Sequence, residues 1–147
     1  PIPDTLESHL VIRQDPLCAV MNKTNPLALK QKLSLSDLHG QKLLFLDQLR
    51  ILNEKILKKA DKQSIPYTIH GVSGIAEFLP MIHSFDLIGF ASREQFGHFD
   101  FPEIIFLPLK SDTHSSSWQI RTHLVSLQNQ TLTKECRRYI DYVSSFH

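Results

Sequence analysis

Short apolar runs alternate along this chain with stretches in which apolar residues recur every three or four positions, the two periods that mark strands and helices. His9 to Arg13 and Leu17 to Met21 are β-rich runs split by Asp15-Pro16, a turn signal. Lys23 to Lys32 is polar and irregular around Pro26. Ser34 or Ser36 can cap a single helical turn, and Gly40 can end it in the left-handed conformation. Lys42 to Leu46 then predicts a short buried strand. Leu49 to Lys62 is the clearest helix. Leu49, Leu52, Ile56 and Ala60 form its apolar stripe, while Arg50, Glu54, Lys55, Lys58, Lys59 and Lys62 lie largely elsewhere. Glu54 and Lys58 are spaced to pair across one turn on that outer side.

Ile65 to His70 predicts another strand, with Pro66 at its start. Ile75 to His83 predicts a helix carrying Ile75, Phe78, Leu79 and Ile82 on one side and bent or shortened by Pro80. Leu87 to Ala91 and Ile104 to Leu107 are further core strands, and Ser92 caps a short helical stretch through Phe96. Beyond a polar loop, Lys110 to Ser117, the alternation over Ser117 to Leu127 predicts a long strand with Trp118, Ile120, Thr122, Leu124 and Ser126 on one side. Thr131 or Thr133 caps a final helix whose stripe is Leu132, Cys136, Ile140, Val143 and Phe146. Strands alternating with helices imply a layered α/β domain with mainly parallel pairing.

Composition narrows the class. A chain of 147 residues suits one domain with its own core, and 41% apolar with 21% charged residues suits a folded protein rather than a disordered tail. A net charge of +1 leaves no basic footprint, so the chain itself is not expected to bind nucleic acid; the lysines of the first long helix read as a solvated face. No apolar run approaches the ~20 residues of a membrane span. Cys18 and Cys136 form neither a disulfide framework nor a metal spacing and are expected as buried thiols in a reducing cytoplasm. The opening Pro1-Ile2-Pro3-Asp4 lacks the basic and apolar regions of a signal peptide, and a start on proline leads us to expect a piece of a longer protein.

Catalytic and metal chemistry find no foothold in the residues. No two of the eight histidines lie three or four apart, as a helical ligand pair would. There is no Gly-x-Ser-x-Gly elbow and no Gly-rich phosphate loop among only five glycines, and Val72-Ser73-Gly74 has no base announced nearby. No catalytic residue, metal or cofactor is therefore expected. Two strand ends are of more interest. Leu46-Asp47-Gln48 and His70-Gly71-Val72-Ser73-Gly74 each lead from a strand into a helix, and ligands of open α/β sheets gather outside the carboxyl ends of strands. A helix start at Ser73-Gly74 offers free N–H groups and a positive dipole end suited to an anion or carboxylate. From local sequence alone, Ser73 as an N-cap and Gln48 as a loop residue is the commoner explanation.

A succession of short motifs shifts that balance. Asn25-Pro26-Leu27-Ala28, then Leu33-Ser34-Leu35-Ser36-Asp37-Leu38, then Leu43-Leu44-Phe45-Leu46 resembles the effector-binding domain of LysR-type transcriptional regulators. That family has a His-Pro-Leu-Ala-like segment, a short helix ending in Asp-Leu and a core strand in this order; Asn25 stands where it usually has histidine. Phe85 to Ser92 aligns with a Gly-Ile-rich stretch of the family, with Leu87 in place of glycine and Ser92 in place of proline. The resemblance runs from about Leu10 to Phe146.

The resemblance implies a type 2 periplasmic-binding-protein-like α/β fold, in which a small-molecule effector sits between two subdomains. One subdomain would be complete, from about residue 21 to 109. The other would be partial, represented by the carboxyl-terminal strand and helix at 117–146. The family's cleft positions match Asp47, Gln48, Val72, Ser73 and Gly74, with Gln48 and Ser73 hydrogen-bonding the effector. It further implies a cytoplasmic, dimeric regulator that is not an enzyme and touches DNA only through an amino-terminal domain absent from this chain. A solute-binding component of a transporter is the alternative, because the same fold serves both roles.

Overall fold

The computed structural model describes residues 4–110 and 118–145, which divide into two compact units. The larger runs from Pro16 to Trp118; the smaller combines the residues up to Asp15 with those from Gln119 onward. The expected loop over Lys110 to Ser117, apart from Lys110 itself, and the helical position of Phe146 lie outside the described residues.

In the larger unit, β2 (Cys18–Asn22), β3 (Gln41–Leu46), β4 (Tyr67–Val72), β5 (Ile88–Ala91) and β6 (Ile104–Pro108) form one sheet in the order β4-β3-β5-β2-β6. The helices α1 (Arg50–Lys62) and α2 (Ile75–Phe85) link β3 to β4 and β4 to β5. These helical crossovers make β3 parallel to both β4 and β5, with Leu46 opposite Val72 and Leu44 opposite Gly89. The pairing is nevertheless less parallel than the sequence suggests, because β2 runs antiparallel to both its neighbours, β5 and β6. No crossover helix joins β2 directly to either partner, so its direction is free of that constraint. Every residue of β2 and β5 is buried, as expected of strands with both sheet faces covered.

Around the sheet, the core gathers Val20, Leu44, Leu46, Phe78, Ile82 and Phe96 into one cluster. Helix α2 contributes Phe78, Leu79 and Ile82, and it continues through the exposed Pro80 to Phe85 rather than stopping early. Its C-terminus is closed by Asp86 in the left-handed conformation and by the buried Asn22 of β2. The Asn22 amide donates to the carbonyls of Ile82 (3.4 Å) and His83 (3.3 Å) and to Asp86 Oδ1 (3.2 Å). Helix α1 buries Asn53, Ile56 and Ala60, whereas Leu52 and Leu49 are only half-buried, so the stripe is rotated from the expected one. Glu54 lies 3.9 Å from Arg50 rather than pairing with Lys58. The strand expected at Ile65 begins at Tyr67, because Ile65 turns inward and its N–H bonds Ala60 at the end of α1.

Short 3-10 turns behave as local capping predicts. Asn25 accepts from Leu27 N–H at 2.9 Å and starts the turn Pro26–Leu29. Ser34, not Ser36, starts the turn Leu35–Leu38, and Asp37 Oδ2 receives both its amide (2.8 Å) and its hydroxyl (2.9 Å). Burial raises the Asp37 carboxyl, but its bonds to Lys30 and Ser34 prevail and hold it below its ordinary value. Ser92 and Gln95 cap each other reciprocally before the turn Arg93–Phe96.

The smaller unit pairs β1 (Leu6–Pro16) with β7 (Gln119–Leu127) and adds α3 (Lys134–Ser144). Cross-strand bonds join Ser8 to His123 (3.1 Å) and His9 to Ser126 (2.7 Å). Thr133, not Thr131, caps α3 by accepting from Cys136 N–H at 3.2 Å. The expected apolar stripe of α3 is not buried, and Cys136 is exposed rather than packed. Two strands and one helix give this face too little surface to pack against. Cys18 is buried in β2, and burial pushes its thiol above the ordinary value despite the opposing pull of Arg93.

Candidate functional site

The two candidate loops leave adjacent parallel strands at the same level. Leu46 and Val72 are register partners at the carboxyl ends of β3 and β4, so Asp47 and Ser73 emerge side by side. Asp47 opens a 3-10 turn, Asp47–Leu49, that runs into α1, and Ser73 precedes α2. The Ser73 hydroxyl donates to Asp47 Oδ2 at 2.9 Å and ties the loops together. Asp47, Gln48 and Ser73 are exposed, and Gly74 is half-buried.

Val72 and Ser73 also have structural parts that the sequence did not assign. The Val72 side chain belongs to the core beside Leu46, leaving only its backbone at the surface end. Ser73 is not the cap of α2: Gly74 holds that position, and no side chain accepts from the first amides of the helix. The hydroxyl that could have capped points to Asp47 instead. Glu77, in the first turn, folds back until its carboxyl carbon lies 3.5 Å from where a Gly74 Cβ would stand. Phe90 and Ala91, in the stretch that aligned with the family, are fully buried in β5 and do not reach this surface.

Chemically, the loops present a hydroxyl, a carboxylate, a side-chain amide and the N–H groups at the start of α2. Such a set has the donors and acceptors with which a polar small molecule can be oriented. A carboxylate is a weak base for a serine hydroxyl, so the Ser73–Asp47 contact is one of position rather than activation. Among the described residues, no group of three or more His, Cys, Asp or Glu is placed to hold a metal, and no helix is long and apolar enough to cross a membrane. Two open depressions lie elsewhere. One, of about 570 Å³, is lined by Lys42, Ile69, His70 and Phe85 on the larger unit; the other, of about 550 Å³, lies within the smaller unit beside His9, Cys136 and Tyr139.

Sequence reasoning missed Asn53 beneath the loops. It is 2% exposed, and its Nδ2 donates to the Leu46 carbonyl at 3.2 Å, fixing the point where β3 becomes the Asp47 turn. Its Oδ1 is buried with no hydrogen-bond partner. The signal was available: an asparagine four residues after Leu49 and three before Ile56 interrupts an inward-facing stripe, and a buried amide there needs a partner.

No sequence-family model matches the chain, and no curated protein matches it. Solved structures do. HinK, a LysR family transcriptional regulator from Pseudomonas aeruginosa, superposes over 99% of this chain with a TM-score of 0.76 at 15% identity. The Synechocystis PCC6803 CcmR regulatory domain, solved in complex with 2-PG, matches over 99% with a TM-score of 0.78 at 14% identity. The effector-binding domain of QuiR, solved in complex with shikimate, matches over 97% with a TM-score of 0.73 at 18% identity. The chain spans 49% of the length of HinK, 70% of the CcmR domain and 65% of the QuiR domain. This chain therefore has the fold of the effector-binding domains of LysR-family regulators, the type 2 periplasmic-binding-protein-like arrangement expected from its sequence.

Proposed function

We propose that this chain is the ligand-sensing part of a LysR-type transcriptional regulator, binding a small-molecule effector at the loops that follow β3 and β4. The observation that carries the reading is the match of nearly the whole chain to regulators of one family, two of them solved with a small organic ligand. The loop geometry supports it, because Asp47, Gln48, Ser73 and the Gly74 helix start gather at the carboxyl edge of the sheet. Val72 contributes its backbone only. The larger unit corresponds to the complete subdomain and the smaller one to part of the other. The complete protein works in the cytoplasm as a homo-oligomer and is not an enzyme; it contacts DNA through a domain outside this chain. Effector binding acts through its different affinity for two arrangements of the regulator, and that difference biases the DNA-binding parts.

Thermal unfolding of the complete protein against a panel of small organic acids, 2-PG and shikimate among them, tests the site. A binder raises the melting temperature as its concentration exceeds its dissociation constant. Ser73→Ala should weaken that binding by about 0.5–1.5 kcal/mol, more for a charged effector group, and Gln48→Ala should act similarly. Ligand-free unfolding should fall only slightly for Ser73→Ala, since Ser73 caps nothing and the bond it loses to Asp47 is exposed. Unchanged affinity in both variants removes these loops from the site.

A further inference from the structure

Besides packing through the buried Ile56 and Ala60, helix α1 makes two side-chain contacts within the larger unit, one turn or more apart, and each has a neighbour of interest. At its start, Asn53 donates to the Leu46 carbonyl at 3.2 Å, one residue before the Asp47–Gln48 loop. Near its end, Lys59 places its ammonium 4.6 Å from the centroid of the Trp118 ring. Lys59 is half-buried, whereas Lys55, Lys58 and Lys62 on the same helix are exposed, so it is the lysine withdrawn from the solvated face. Trp118 is the last residue of the larger unit, and its carbonyl accepts from Leu17 N–H at 3.0 Å beside the unit's other boundary. The indole N–H is buried without an acceptor, so the ring's position rests on packing and on Lys59.

We propose that α1 is a lever: Asn53 fastens its first turns to the Leu46 carbonyl at the root of the candidate effector loop, Lys59 fastens its last turns to Trp118, and a displacement of the loop is thereby passed to the residue at which the chain leaves the larger unit. Asn53 and Lys59 are six residues apart, about 9 Å along the helix, and the fully buried Ile56 lies between them, so the two points move as one stiff body. Both fastenings are of the kind that a small shift alters. Beyond the chain connection through Asp47–Leu49 and the buried Ile56 and Ala60, a 3.2 Å hydrogen bond ties one end, and a cation–π contact, which depends on the ammonium staying over the ring face, ties the other. The lever gives effector binding a route to Trp118, where the larger unit ends, and rests for its purpose on the function proposed above. Its mechanics do not depend on an effector.

Trp118 is the sole tryptophan, so its fluorescence reports on this end of the lever alone. Acrylamide quenching of Trp118 should be compared in the unaltered chain, in Lys59→Met, in Asn53→Ala and in the double variant, with circular dichroism to establish that each is folded. Lys59→Met keeps the apolar stem and removes the charge. It should raise the exposed fraction of Trp118 about two- to fivefold, as the loss of an exposed cation–π pair implies. Asn53→Ala, though remote from the ring, should raise it as well, and should add nothing once Lys59 is methionine. Independent effects from the two substitutions, or no response of Trp118 to Asn53→Ala, overturn the lever. Should Asn53→Ala fail to fold, Asn53→Ser decides in the same way, because its shorter hydroxyl also releases Leu46. Failure here leaves the loop site standing, whereas unchanged effector affinity in Ser73→Ala and Gln48→Ala removes the loop site and leaves the coupling of Asn53 to Trp118 standing.

Discussion

Gly89→Ala is the sharpest probe of how the core positions α2. Gly89 sits in the middle of β5, opposite Leu44 on one side and Val20 on the other. A Cβ there would lie 2.3 Å from Phe78 Cζ, 2.8 Å from Phe78 Cε2 and 3.0 Å from Ile82 Cδ1. The Phe78 ring has little room to retreat, since it is fully buried and stacks on Phe96 at a centroid distance of 5.3 Å. Overpacking of this kind costs about 1–3 kcal/mol, and the closeness of the approach puts it at the upper end. Replacing glycine also removes unfolded-state freedom, which returns about 0.4–1 kcal/mol where the backbone is compatible. The net expectation is a loss of about 2 kcal/mol. Urea unfolding should show a midpoint lower by about 1 M with an unchanged slope, for slopes of about 1–3 kcal/mol/M. Phe78→Leu lacks the two clashing ring atoms, so the pair Gly89→Ala with Phe78→Leu should lose less than the sum of the single changes. A single-variant loss under about 0.5 kcal/mol, or strict additivity in the pair, refutes the close approach as the reason for glycine.

Three further expectations follow from burial and charge. Ile56→Ala should cost about 2–5 kcal/mol in denaturant unfolding, and Leu52→Ala less than about 2 kcal/mol because Leu52 is half-buried; the reverse order would put the α1 face back on its sequence-derived register. Alkylation read by mass spectrometry should modify Cys136 rapidly in the folded chain and Cys18 only on unfolding, since burial both shields the Cys18 thiol and keeps it protonated. The lowered folded-state value of Asp37 means that its contribution to stability is present above its unfolded value, 3.8, and is lost as the pH falls through the folded one. Asp37→Asn should therefore flatten the dependence of stability on pH below about pH 4, and an unchanged acid limb would deny Asp37 that role.

Local interactions made much of this protein legible in its sequence. The apolar runs of β2, β3 and β5, the stripe of α2, the caps at Ser92 and Thr133 and the left-handed Gly40 each depend on neighbours a few residues away, and each stands where its pattern put it. The ordered motifs from Asn25 to Leu46 likewise pointed to the fold, because element order is itself written along the chain. Only tertiary structure decided the direction of β2, since strand pairing joins residues some 70 positions apart that no local period relates. It also decided which polar residues go inside. Asn22 reaches carbonyls of α2 about 60 residues away, and Asn53 turns toward Leu46 once α1 has rotated on the sheet. Ser73 carries the same lesson for the candidate site. Its sequence position allowed a cap or a ligand contact, and the register that sets Leu46 beside Val72 gave its hydroxyl a third partner, Asp47. A side chain's partner is chosen by what the fold brings within about 3 Å, and spacing along the chain limits that choice without making it.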